Sequence, residues 1–424
     1  MTQTLAAADA VLKDVYEGPV VEQLNYKMYM LDQIEREEKF QITARGRRAI
    51  LAAHYGRNRG RGARGDGGTL PNAGEQKYED VQVPINYFYQ GIEITDAAVE
   101  ASKKDDGAFV DLLHSEVTGA TQDMKKDVNR QIWGPGNGML ADVRATGSAN
   151  SATVAIDTLQ YVKIGDPVDI LVKSTGALIH ATGEARTVTA LNETGPTLTL
   201  DSGPTGTITT GTHGVYLSGS YGKEMKSLQE IVATGRTLFG INSATAGMEW
   251  WNSQVIDVGS SASATALAGE NAFERISDKV GATGQGETQS FVTTRGIRRN
   301  LADSFQSTKR FTNREAVQIH GGFSAIMVSA GAGEVPVIID DDCPKQNVFA
   351  IDKEALRWYQ QTTPGFLADP KSGQIMHLKT SGSSGQRVAT WQGWLRWYAS
   401  LATVAPNRLG RLRFCTDEVA GITP

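Results

Sequence analysis

Arginines lead the side chains that can do chemistry. Arg45, Arg47, Arg48, Arg57, Arg59, Arg61 and Arg64 follow one another with no acidic residue until Asp66, and glycines interleave the last four. Two chemistries fit this pattern. The guanidinium groups can neutralise phosphates, with the glycines letting backbone approach a polyanion closely. Equally, they can pair with carboxylates of an adjacent subunit, for which a planar fork of donors is well suited. Taken alone, the cluster leans toward nucleic acid. Arg64-Gly65-Asp66 also spells a cell-adhesion tripeptide, which reads as a chance match.

Asp340-Asp341-Asp342 is the other charged cluster. Three carboxylates in a turn can bind a divalent ion, but with no histidine near in sequence they read as solvated acids. Six histidines are scattered with no paired spacing, and neither a Gly-x-Ser-x-Gly elbow nor a Gly-x4-Gly-Lys-Ser/Thr loop is present. Gly134-Pro135-Gly136-Asn137-Gly138 follows a helix instead of linking a strand to one, which makes a poor phosphate cradle. The two cysteines, Cys343 and Cys415, stand far apart and suggest neither a zinc site nor a disulfide framework. No catalytic, cofactor-binding or metal-ligating set emerges, and the expectation is a protein that is not an enzyme.

The elements that position the arginines are legible from periodicity. Segments 40–55 and 76–95 are extended, and the glycine- and arginine-rich stretch 56–74 lies between them as the tip of a long hairpin. In the return arm Val81, Val83, Ile85, Tyr87 and Tyr89 alternate with polar residues, and the parity switches across Gly91 to Ile92 and Ile94, as at a bulge. Pro84 marks an edge or a two-stranded ribbon, because proline cannot donate to a ladder. Such a ribbon buries little of itself and needs something to lie on.

Next comes one long helix from Gly107 to Trp133, roughly 40 Å at about 1.5 Å per residue. Phe109, Leu113, Val117, Ala120, Met124, Val128 and Ile132 form its apolar stripe, while Lys125 and Arg130 fall on other faces. Asp105 and Asp106 can cap its start, and Gly134-Pro135-Gly136 stops it. Residues 5–38 read as two helical pieces broken near Gly18-Pro19, either an arm on a neighbour or an ordinary surface helix. From Met139 to Gly219 the chain turns rich in Thr, Val, Gly and Ser, with short strands at 152–156, 168–172, 185–191, 197–200 and 214–217. Beyond Tyr221 it is mixed: helices at 271–280 and 295–305, strands at 290–294, 335–339 and 348–351, and Trp391, Trp394 and Trp397 as core or interface anchors.

A length of 424 residues allows two or three domains, and 46 glycines with 21% charged residues describe a loop- and strand-rich globular chain. The net charge of -5 gives no overall bias toward polyanions. Residues 1–10 lack the basic start and apolar core of a secretion signal. No apolar run of about 18 residues appears, and no membrane association is expected.

The order of parts and several strings resemble the major capsid protein family of tailed bacteriophages, with the Hong Kong 97-like fold. The strings are LKDVYEGPVVEQL at 12–24, GRNRGRGARGDGGTLPNAG at 56–74, VPINYFYQGIEITDAAVEASKKDDGAFVDLLHSEVTGATQDMKKDVNRQIWG at 83–134, and VPVIIDDDCPKQNVFAIDKEAL at 335–356. The resemblance implies an α+β fold with an N-terminal arm (1–39), an extended E-loop hairpin (40–95) and a peripheral domain with the spine helix (96–138). An inserted β domain (139–220), an axial domain (221–374), return strands (375–405) and a C-terminal segment (406–424) follow.

It also implies a structural subunit of an icosahedral head enclosing double-stranded DNA, assembled in the host bacterial cytoplasm. Its partners would be copies of itself in hexamers and pentamers, a portal, separate scaffold or decoration proteins, and the packaged DNA. The arm begins almost at Met1, so any scaffold is expected to be a separate chain. By the same resemblance Arg57, Arg59, Arg61, Arg64, Asp66 and Lys77 become E-loop contacts to a neighbouring subunit. Some members weld their shells through a lysine and an asparagine. Lys77 lies near the tip, but no partner asparagine or assisting glutamate is identified, and no crosslink is expected. An encapsulin-type compartment and a nucleic-acid-binding protein using the arginine tip are the alternative readings.

Overall fold

The computed structural model describes residues 30, 41–43, 48–97, 112–179, 185–307, 318–319, 323–324, 326–331, 333–368, 373–380 and 387–417. The expected arm therefore lies outside the described residues except for Met30, which is helical and buried. Arg45, Arg47 and the first five residues of the expected long helix lie outside them too. The chain divides into two compact units. One draws on Tyr87–Asp127 and Thr363–Trp397, the other on Lys27–Asn86, Val128–Thr362 and Tyr398–Pro424.

Alternating side chains build the first strands, β1 (Gln41–Thr43), β2 (Arg48–Gly56), β3 (Lys77–Pro84) and β4 (Asn86–Thr95). β2 and β3 pair antiparallel from Arg48 opposite Pro84 to His54 opposite Tyr78, then slip so that Gly56 faces Lys77. They form a sheet of two strands only. Pro84 ends β3, and Asn86 turns its amide to the Lys223 carbonyl at 2.8 Å. This break changes the buried face: Val81, Val83 and Ile85 are inside before it, and Phe88, Ile92 and Ile94 after it. The parity switch thus falls at Ile85 and Asn86, not across Gly91, and leaves Tyr87 and Tyr89 exposed.

The long helix, α1 (Leu112–Trp133), buries Ala120, Met124, Val128 and Ile132 as its stripe requires. Its last turn departs from the pattern, because Asn129, Arg130, Gln131 and Trp133 are buried as well. Arg130, expected on a polar face, reaches Glu224 through both terminal nitrogens, at 3.3 and 2.5 Å. The helix stops at Gly134, whose amide donates to the Arg130 carbonyl at 2.7 Å, and Gly136 follows at φ 77°.

Six short strands come next: β5 (Met139–Asp142), β6 (Thr153–Ala155), β7 (Pro167–Val172), β8 (Arg186–Asn192), β9 (Thr197–Leu200) and β10 (His213–Leu217). They form one antiparallel sheet in the order β5-β10-β7-β8-β9-β6. Inward residues Leu140, Val154, Ile170, Val188, Leu198 and Val215 make its core.

The remainder of the second unit is mixed. α2 (Leu228–Ile231) is capped by the Ser227 hydroxyl, and β11 (Thr237–Leu238) turns tightly into β12 (Ile241–Asn242). β13 (Gln254–Asp257), α3 (Glu270–Gly284), β14 (Ser290–Thr293) and α4 (Arg295–Ser307) are followed by the small pair β15 (Gln318–Ile319) and β16 (Phe323–Ser324). Then come β17 (Ile326–Ala330), β18 (Gly333–Ile339), β19 (Val348–Ile351), β20 (Leu356–Phe366), β21 (Met376–Thr380), β22 (Arg387–Thr403) and β23 (Gly410–Arg413).

The main sheet runs β13-β23-β19-β14-β18-β17. Phe273 and Ile276 of α3 and Ile297 and Leu301 of α4 pack into its core with Phe291, Val337, Val348 and Leu412. β1 lies parallel to β20. In the first unit β21 and β4 both pair with β22, and the Phe88 and Trp397 rings meet at 5.8 Å.

Helix α3 can approach the sheet because position 410 has no side chain. A Cβ there would stand 2.7 Å from Ile276 Cγ1 and 3.1 Å from Val280 Cγ2. Gly410→Ala should therefore cost about 1–3 kcal/mol through overpacking. Urea unfolding checks this, and an unchanged midpoint would contradict the packing described.

Candidate functional site

The arginine loop connects β2 to β3. Arg57, Arg59, Arg61, Arg64, Asp66 and Lys77 are all exposed. Among the described residues, no ion pair forms at any of the four arginines. Arg64 alone is held, donating from Nε to the Thr69 carbonyl at 2.8 Å and from a terminal nitrogen to the Ala63 carbonyl at 2.9 Å. The structure thus leaves the predicted residues exposed along the loop and the start of β3. Lys77 lays its methylene carbons over Gly56, where a Cβ would stand 2.6 Å from Lys77 Cβ.

Asn58 sets the neck of the loop and was not among the expected site residues. Its amide donates to the Gly74 carbonyl at 2.7 Å, and its Oδ1 accepts from the Gly60 amide at 2.7 Å. Any side chain at Gly74 would collide with that oxygen at 2.4 Å. An asparagine among glycines is a local turn signal that could have marked it. Below the neck, His54 Nε2 lies 2.8 Å from Gln76 Oε1, and the Tyr55 ring stacks on Trp250 at 5.0 Å.

The acidic turn differs from its solvated reading. Asp341 is exposed and binds Arg295 through two bonds of 2.6 and 2.7 Å, whereas Asp340 and Asp342 are buried. Asn129 of α1 donates to Asp340 at 3.3 Å and to Asp342 at 2.7 Å. The Tyr161 hydroxyl donates to the Asp342 carbonyl at 2.5 Å, and the Gln160 amide to the Asp341 carbonyl at 2.6 Å. Burial, and then the charge of Asp342, pushes the Asp340 carboxyl up to about 7. The polar partners lie far away in the chain, so only the tertiary structure reveals that these acids are inside. Among the described residues, no group of three His, Cys, Asp or Glu side chains could hold a metal ion, and no helix is long and apolar enough to cross a membrane.

The fold has known relatives among solved structures. A chain of the cyanophage A-1(L) capsid asymmetric unit matches over 98% of this chain and 100% of its own, with a TM-score of 0.57 at 12% identity. A chain from the capsid of the native GTA particle matches over 98% and 100%, with a TM-score of 0.50 at 12% identity. The chain has the phage capsid fold. No family model and no curated protein matches its sequence. At 12% identity the likeness shows the shared fold alone.

Two outcomes follow from this capsid-fold chain's charged groups. Arg57, Arg59 and Arg61 all changed to Ala should move stability by less than about 0.5 kcal/mol, because exposed side chains without an ion pair among the described residues contribute little. Thermal unfolding reads this, and a large loss would mean that the loop packs on its own subunit. For Asp340, the folded value lies above the unfolded one. Its contribution is therefore fully present below about pH 4 and is lost as pH rises to about 7, by up to roughly 4 kcal/mol. Urea titrations across that window should show a fall for the natural protein that Asp340→Asn lacks, and parallel profiles would refute the shift.

Proposed function

We propose that this chain is the major capsid protein of a tailed bacteriophage. In this reading it is a structural subunit, without catalytic activity, that assembles as hexamers and pentamers into an icosahedral head around double-stranded DNA. The observation that carries the reading is the match in fold to the cyanophage A-1(L) capsid chain over the full length of that chain. Assembly takes place in the bacterial cytoplasm, with a portal and separate scaffold or decoration proteins as further partners.

Within that reading, 1–39 is the arm, 40–95 the extended hairpin, 96–138 and 375–405 the peripheral domain, 139–220 the inserted β domain and 221–374 the axial domain. The hairpin loop is the intersubunit contact, through Arg57, Arg59, Arg61, Arg64, Asp66 and Lys77. Its support is physical. The loop's charged groups are exposed, the arginines have no ion-pair partner among the described residues, and a closed shell repeats one contact many times. A docked loop and arm can approach the common scale of about 800 Å² per partner.

Negative-stain microscopy of the expressed protein tests the reading. Closed isometric shells are expected, and deletion of 58–74 should leave a folded subunit that does not close them. Dispersed subunits from the intact chain, or small DNA-free shells packed with cargo protein, would contradict it.

A further inference from the structure

Helix α3 ends in a left-handed residue, Gln285 at φ 52°, whose amide donates to the Gly281 carbonyl at 3.1 Å. The segment that follows, the last turns of α3 and the β17–β18 turn, with Gly331 at φ 58°, enclose a cavity of about 660 Å³. That size lies within the range of small-molecule sites. Asp278 of α3, Glu287 and Glu334 of β18 stand around it, all exposed, and their carboxylates make no ion pair among the described residues. No described lysine or arginine lines it. Two cations of the same region are engaged elsewhere: Lys279 donates to the Val255 carbonyl at 3.0 Å, and Arg408 binds Asp352 at 2.8 Å and Glu354 at 3.3 Å. Thr288 also lines the cavity. It is 6% exposed, and its hydroxyl oxygen has no hydrogen-bond partner among the described residues. A buried hydroxyl left unpaired costs free energy, which a ligand able to hydrogen-bond it would recover.

The last carbonyls of a helix carry partial negative charge, so the end of α3 adds to the field of the three acids. These acids do not converge on one point, since no group of three His, Cys, Asp or Glu side chains among the described residues could hold a metal ion. A ligand that meets all three carries several positive charges spaced apart, as ammonium groups on a methylene chain are. Each ammonium offers three donors, enough for a carboxylate and a hydroxyl together. Ala330 and Val335, both buried, give the methylenes an apolar wall. We propose that the cavity between α3 and the β17–β18 turn binds a linear polyamine, its ammonium groups on Asp278, Glu287 and Glu334 and one of them donating to the Thr288 hydroxyl. This inference stands apart from the shell-subunit reading.

Equilibrium dialysis of the purified, nucleic-acid-free full-length protein against labelled spermidine tests it. Saturation at one molecule per chain is expected, with n-butylamine, which carries a single ammonium, binding at least about tenfold more weakly. Glu287→Gln combined with Glu334→Gln should weaken spermidine binding by about tenfold or more, and Thr288→Val by about fivefold. Asp201→Asn, an exposed acid of the six-stranded module, should leave it unchanged. Urea midpoints close to that of the natural protein show that the two glutamate changes leave the fold intact, as expected for exposed side chains. Binding that does not saturate, or that Asp201→Asn and the cavity variants lower equally, would overturn the site.

Discussion

Two strands that pair only with each other can bury little of their own surface. The ribbon of β2 and β3 shows the consequence. Val81 and Val83 are buried, yet Ile50, Tyr78 and Leu70 stay mostly in water, and every residue from Arg57 to Leu70 is exposed. The loop keeps its shape through Asn58 and two glycines, not through a core. Ordering such a loop costs conformational entropy that its own few contacts do not offset. In the proposed reading such a loop gains its stability from a neighbouring subunit, which ties the arginines and the ribbon into one account.

The end of α1 obeys the opposite rule. There the groups that sequence places outside are inside: Arg130 is bound to Glu224, and Asn129 bridges Asp340 and Asp342. Tyr161 and Gln160, from the segment between β6 and β7, bind the backbone of the same acidic turn. Helix end, six-stranded module and turn are therefore joined by hydrogen bonds that need particular partners, not by interchangeable apolar contacts. The joint gives a fixed base to the module and to the end of the helix.

Signals confined to a few neighbouring residues were legible in the sequence. The apolar stripe of α1, the strands at Thr197–Leu200 and Val348–Ile351, and the helix after Thr294 all follow from periodicity and turn residues. The parity switch was misplaced, because Gly91 looks like a bulge while Pro84 and the outward bond of Asn86 in fact break the strand. Buried Arg130, Asp340 and Asp342 were not legible, since charges read as surface until a partner 94 or more residues away is known. β13 and β23 escaped for a related reason: each is a four-residue strand, and they pair in parallel with partners 156 residues apart in the chain. The protruding hairpin and its arginine tip could be read from the sequence, but what the loop contacts could not, because no local signal names a partner surface.

A three-dimensional reconstruction of the purified particle tests the central claim most directly. The account predicts that residues 57–76 of each subunit lie on a neighbouring subunit, with Arg57, Arg59, Arg61 and Arg64 inside the contact. A loop folded back on its own subunit, or directed into the lumen against nucleic acid, would contradict it.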